Sequence, residues 1–360
     1  MLLPHDYLNH WLTGRYCMER SDASGTGVLN TATQAWDANR MRTIDVRLPE
    51  CFPELIGPDE VRAVEKRGKE GRGGASAPPG QQQQGQLRAR HSGSLWRVRA
   101  ELSSLLRAHQ AVGTLRPEVA RELGLPEGCV VSAGGGDNAM AALGVGAVAP
   151  GTLVLSLGTS GTLFGPSAAP VVDPAGVVCL FCDATGGWLP LLCTLNCTGV
   201  TEEVRVAFGL SHEGITELAA REQPGCREVS FLPYLSGERT PNWPQSTGAI
   251  LGLRPGLLRP GLLFRAAMEG AMFSLLAGLH RLRGFGLGAE ELRVVGGGSA
   301  NRLWRRVVAD AFQLPLRFPV EKEAAALGAA LQVGGPALLN SLILHAALHD
   351  ALPPLTCPAA

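Results

Sequence analysis

Residues 132–162 read SAGGGDNAMAALGVGAVAPGTLVLSLGTSGT, and two glycine turns inside this stretch decide the architecture. In the first, Gly134-Gly135-Gly136 is followed by Asp137 and Asn138. Consecutive glycines let a backbone come close to a neighbour and leave the polar residues at their end accessible. The second turn, Gly158-Thr159-Ser160-Gly161-Thr162, ends an apolar run through Leu153, Val154, Leu155 and Leu157 that predicts a buried strand. A strand turning back through Gly-Thr-Ser-Gly gathers N–H groups and hydroxyls in one small volume, which suits phosphate oxygens. An Asp beside such a cradle fits a general base that takes a proton from an attacking hydroxyl. The plainer alternative for either turn is an ordinary loop whose Asp serves as a cap.

A third turn lies further on. Leu292-Arg293-Val294-Val295 predicts a strand that runs into Gly296-Gly297-Gly298-Ser299-Ala300-Asn301 and then a helix through Trp304, Val307, Val308 and Phe312. A strand–glycine–helix junction admits a nucleotide closely and offers N–H groups at a helix start. The spacing is neither G-x-G-x-x-G nor G-x-x-x-x-G-K-[ST], so dinucleotide-fold and P-loop chemistry are set aside.

Composition frames these turns. A chain of 360 residues exceeds what one core organises and predicts two domains. Thirty-two basic residues balance thirty-two acidic ones, which argues against nucleic acid or an anionic membrane as partner. No run of eighteen apolar residues is present, and the opening MLLPHDYLNHWLTG lacks the pattern of a signal peptide. The odd count of nine cysteines predicts free thiols in a reducing, cytoplasmic setting. Cys179-x-x-Cys182 and Cys193-x-x-x-Cys197 have spacings a zinc site could use, but their apolar flanks read as buried strands, so no metal ligand is assigned.

Along the chain, Tyr7, Leu8, Trp11 and Leu12 stand at helical spacing, with Gly14 as the C-cap. Residues 58–109 are rich in Gly, Gln, Arg, Ser and Pro and predict a disordered insertion. Residues 129–335 alternate strands and helices in an α/β layout. Cys129–Ser132, Leu153–Leu157 and Trp188–Leu195 read as strands, and Arg259–Leu282 and Glu323–Leu331 as helices. The tail 336–360 carries no pattern.

The Gly-Gly-Gly-Asp-Asn turn followed by Ser-Leu-Gly-Thr-Ser-Gly resembles the FGGY carbohydrate kinases, most closely the xylulokinases. So do the Ser21-Asp22-Ala23-Ser24-Gly25-Thr26 loop and the Ser236-Gly237-Glu238-Arg239-Thr240-Pro241 run. The resemblance implies an actin-like ATPase (ribonuclease H-like) two-domain fold with the first domain incomplete. Residues 1–57 and 110–130 would belong to the N-terminal domain and 131–335 to the C-terminal one. It implies ATP and Mg²⁺ as cofactors, a small sugar such as D-xylulose as partner, and a homodimer as one arrangement. Asp137 would deprotonate the terminal hydroxyl of the ketopentose and Asn138 would bind the sugar. Gly158, Thr159 and Ser160 would hold phosphate, and Gly297, Gly298 and Asn301 the adenosine. Glu238 and Arg239 would form a buried pair under the cleft. These kinases open with a D-x-G-T turn that grips phosphate and metal, and no such turn ends an apolar strand here. That departure implies a chain beginning inside the first domain, either a kinase lacking part of its cleft or a nucleotide-binding remnant of one.

Overall fold

The computed structural model describes residues 1–56 and 111–332. The expected insertion at 58–109 and the tail 336–360 lie outside the described residues.

The N-terminal part is built from short elements. A helix over Pro4–Thr13 begins with Pro4 in its first turn and stops at Gly14, whose φ of 77° lets its N–H reach the His10 carbonyl. Strands β1 (Cys17–Glu19), β2 (Leu29–Asn30), β3 (Ala35–Trp36) and β4 (Glu54–Ile56) follow, with β1 parallel to β4 and β2 antiparallel to β3. β5 (Ala111–Thr114) then pairs antiparallel with β6 (Val130–Ser132). The helix expected through Tyr7, Leu8, Trp11 and Leu12, capped by Gly14, is present. The face of the first helix that turns inward carries Asp6 and Asn9, while Tyr7 and Leu8 are 62% and 53% exposed. Trp11 and Leu12 pack against Leu115, Val119 and Ala120, and polar pairing fills the rest of the inward face. Asp6 Oδ1 accepts the Glu19 N–H at 3.1 Å, and Asn9 Nδ2 donates to the Ala133 carbonyl at 2.8 Å.

The larger part is a six-stranded sheet covered on both faces. Its strands are β7 (Gly151–Leu157), β8 (Gly161–Phe164), β9 (Cys179–Cys182), β10 (Trp188–Thr194), β13 (Ala289–Val295) and β14 (Leu316–Arg317). A separate hairpin-like pair, β11 (Ser230–Leu232) and β12 (Ala249–Leu251), lies outside this sheet. The spatial order is β14-β13-β7-β8-β10-β9, antiparallel from β7 to β9 and parallel from β7 through β13 to β14.

Alternation along β7 divides the two cores. Leu153, Leu155 and Leu157 join Leu163 and Leu192 on one face, where helices Thr198–Ala207, His212–Ala220, Pro260–Gly284 and Arg302–Phe312 pack. Val154 joins Phe164, Leu189 and Leu191 on the other, under the helix Asp137–Gly144 and a helix over 324–332. The helix Pro260–Gly284 is long and apolar enough to cross a membrane, but 78% of its most apolar window is buried against the sheet. It is a core helix. The eight described cysteines are free thiols.

Candidate active site

β7 and β13 run parallel with Val295 opposite Ser156, so the turns that follow them leave the same end of the sheet side by side. The turn after β7 is held from behind. The Gly158 carbonyl accepts from the N–H and the hydroxyl of Thr198 (3.0 and 2.7 Å), and the Thr159 carbonyl accepts from the Cys197 N–H at 3.0 Å. With its carbonyls turned back, the loop presents its donors outward. Thr159 and Ser160 are exposed, and their N–H groups and hydroxyls have no partner among the described residues.

The turn after β13 closes on the same corner. Gly296 takes a φ of 86°, and a Cβ there would lie 2.7 Å from the Leu157 carbonyl oxygen. A Cβ at Gly298 would meet Leu157 Cβ at 2.9 Å and Thr198 Cγ2 at 3.0 Å. A Cβ at Gly297 would meet nothing within 4 Å, so this glycine faces open space beside the phosphate-type loop. Asn301 is engaged in the fold itself. Its Oδ1 caps the helix Arg302–Phe312 through Leu303 N–H at 2.8 Å, and its Nδ2 donates to Thr216 Oγ1 at 3.0 Å.

Asp137 is the first residue of its helix, with Gly136 as N-cap, and it is exposed. One carboxylate oxygen, Oδ1, accepts both the Asn138 N–H (2.7 Å) and the Asn138 side-chain amide (3.0 Å). Oδ2 has no partner among the described residues and is available to take a proton. Within the described residues no hydrogen bond joins Asp137 or Asn138 to the other two loops.

Residues 153–334 match the FGGY family of carbohydrate kinases, C-terminal domain, and residues 1–76 match the N-terminal domain of the same family. The chain belongs to the FGGY family of carbohydrate kinases. It is 34% identical to the xylulose kinase of Haemophilus influenzae over 332 residues, covering 92% of this chain and 58% of that protein. The xylulose kinase of Streptomyces rubiginosus is 36% identical, over 92% of this chain and 56% of the relative. The chain therefore spans little more than half the length of the curated relatives it matches. Among solved structures, a xyloylose kinase from Brucella ovis superposes with a TM-score of 0.74 at 29% identity, covering 99% of this chain and 63% of the other. The expected actin-like ATPase fold is the fold of this FGGY chain.

Two features of this FGGY chain were not legible in the sequence. The first corrects an expectation, because Glu238 and Arg239 do not form a buried pair. Glu238 is 1% exposed and accepts the N–H groups of Leu195 and Arg239, both at 2.7 Å, and the Asn196 side-chain amide at 3.0 Å. Arg239 is exposed and donates to Cys179 Sγ at 2.8 Å. Backbone and amide donors satisfy the buried carboxylate more cheaply than a desolvated guanidinium would.

The second is a charged cluster beside the Gly134–Gly136 turn. His5 lies between two carboxylates, with Nδ1 2.7 Å from Asp22 Oδ2 and Nε2 3.0 Å from Asp6 Oδ1. Burial works against the imidazolium, but the hydrogen bonds and charges of Asp22 and Asp6 outweigh it and push His5 up to about 10. These three side chains are the single group of potential metal ligands among the described residues, and each ring nitrogen faces a carboxylate oxygen within 3.0 Å. A raised histidine binds its proton more tightly in the folded state, so its contribution to stability is complete below the unfolded value of 6.5. It is lost as pH rises through about 10. Thermal melts between these two pH values should show a falling Tm, and His5→Gln should flatten that fall. An equal slope in the variant would remove His5 as its source.

Proposed function

We propose that this chain carries the base and the nucleotide loops of an ATP-dependent sugar kinase that phosphorylates the terminal hydroxyl of a ketopentose, D-xylulose first. The observation that supports it best is the corner at the end of β7 and β13. There the outward donors of Thr159 and Ser160 stand beside the open backbone at Gly297. Such a corner suits the phosphates and the adenosine of one nucleotide, and Asp137 with its free Oδ2 suits proton removal from the sugar. The xylulose kinases it resembles support the choice of sugar. ATP enters as its magnesium complex. Residues 158–162 and 296–301 contain no carboxylate, so hydroxyls and backbone N–H groups are what this chain offers to the phosphates. A cytoplasmic enzyme is the setting that fits this chemistry.

In this reading Asp137 takes the proton as the sugar oxygen attacks phosphorus, Asn138 steers the sugar and orients the carboxylate, and the loop donors hold the transferring group. Calorimetry should detect ADP binding. A coupled assay with D-xylulose should then be run on the chain alone and on the chain preceded by the N-terminal segment of a full-length relative. Turnover by the chain alone marks a self-sufficient kinase, and turnover only with the added segment marks a part of one. No ADP binding in either preparation refutes the proposal.

Gly297→Val makes the nucleotide assignment specific. An added Cβ meets no protein atom within 4 Å, so Tm should stay within about 1–2 °C of the parent, as for an unstrained exposed site. ADP affinity should drop about tenfold or more, because the side chain fills the space given to adenosine. Unchanged ADP affinity would move the adenosine elsewhere.

A further inference from the structure

The base turn is seated on a pair of buried polar residues from the N-terminal part. Ser21 Oγ accepts the Gly136 N–H at 2.9 Å, and Gly136 is the residue directly before Asp137. The Ser21 hydroxyl is itself committed. It donates to Glu19 Oε2 across a short contact, and the same carboxylate oxygen accepts the N–H groups of Ser21 (2.8 Å) and Asp22 (3.2 Å). A serine has one proton to donate. With that proton given to Glu19, its lone pairs are left for Gly136. Glu19 and Ser21 are each 2% exposed, so no water competes for these bonds.

The fit is close on every side. A Cβ at Gly135 would lie 2.9 Å from Ser21 Oγ and 3.3 Å from Glu19 Oε2, so the turn rests directly on the pair. From the opposite side Gln332 accepts the Gly134 N–H at 2.8 Å and donates to the Gly134 carbonyl at 2.9 Å. Gln332 lies 198 residues away and Ser21 lies 115 residues away, and between them they fix the peptides that lead into the base.

We propose that Ser21, oriented by Glu19, is the positioning residue for the base turn, fixing the peptide before Asp137 and thereby the direction of the Asp137 carboxylate. This rests on the reading of Asp137 as the base. The charged and titratable groups around Glu19 are His5, Asp6, Arg20, Asp22 and Cys182. Burial pushes the Glu19 carboxyl up to about 7, against the hydrogen bonds from Ser21 and Asp22 and the His5 charge. Protonation of Glu19 near neutral pH removes the charge that strengthens its hold on the Ser21 hydroxyl, so the hold on Gly136 should weaken as pH falls.

The test uses the ¹⁵N-labelled full chain and follows the Gly136 amide. In the parent its shift should titrate with a midpoint near 7. Glu19→Gln should abolish that titration. Ser21→Ala should abolish it and speed Gly136 exchange about fivefold or more, the size of one lost hydrogen bond. ADP affinity should be unchanged in both variants, which shows that they are folded. In the preparation that turns over D-xylulose, Ser21→Ala should lower kcat about tenfold or more while leaving KM for ATP in place, as expected for a misplaced base. A Gly136 amide indifferent to Ser21→Ala, or an unchanged kcat, overturns the proposal. Asp137→Asn separates the two readings. It should leave the Gly136 titration intact, and full turnover in that variant would refute the base assignment alone.

Discussion

Asp137→Asn is expected to lower D-xylulose phosphorylation about 10²–10⁴-fold, the usual value of a general base. The measurement is sugar-dependent ADP release in whichever preparation turns over, the chain alone or the chain extended by a relative's N-terminal segment. ADP affinity should stay within about twofold, because Asp137 has no hydrogen bond to either nucleotide loop among the described residues. Asn keeps the shape and the Oδ1 contact to the Asn138 amide but cannot take up a proton. The loss should therefore fall on kcat, with KM for ATP left near the parent value. An Asn variant retaining more than about a tenth of parent turnover would place the base on another residue.

The second large effect is structural and has a diagnostic sign. The helix that carries Asp137 crosses the helix over 324–332 backbone to backbone. A Cβ at Gly328 would lie 1.8 Å from the Met140 carbonyl oxygen, and one at Gly144 would lie 1.8 Å from that of Ala324. In an open helix, Gly→Ala stabilises by about 1 kcal/mol. Here Gly328→Ala must push the helices apart, and we expect a loss of about 2–3 kcal/mol by overpacking. For a chain of this size that corresponds to a Tm lower by roughly 3–4 °C. The displaced helix also carries Asp137, the proposed base, so turnover should fall more than ADP affinity. A Tm at or above that of the parent would show that the two helices are not in this contact.

The turns around Gly158 and Gly296, the strands before them and the helices after them were legible locally, because each rests on a short apolar run ended by glycines. The strand expected over Cys129–Ser132 forms as Val130–Ser132, and the helix expected over Arg259–Leu282 as Pro260–Gly284. Their adjacency was not legible, since it depends on β13 pairing with β7 across a long crossover. The first helix and its Gly14 cap were legible from the spacing, but the polar half of its inward face was not. Asp6 and Asn9 go inward because Glu19 and Ala133 supply partners there, and nothing within the helix announces them.

By itself, then, the sequence determined the chemistry available to this protein: an Asp at the end of a glycine turn, hydroxyls after a buried strand, and a glycine turn between a strand and a helix. Side-chain type and backbone freedom are local properties, and they survive in the order of residues. Only the tertiary structure decided which partner holds each group. It assigned Ser21 and Gln332 to the base turn, turned Arg239 away from Glu238, and used Asn301 as a helix cap. A buried polar group is satisfied by whatever donor or acceptor the fold brings within about 3 Å, and that neighbour can lie more than a hundred residues away.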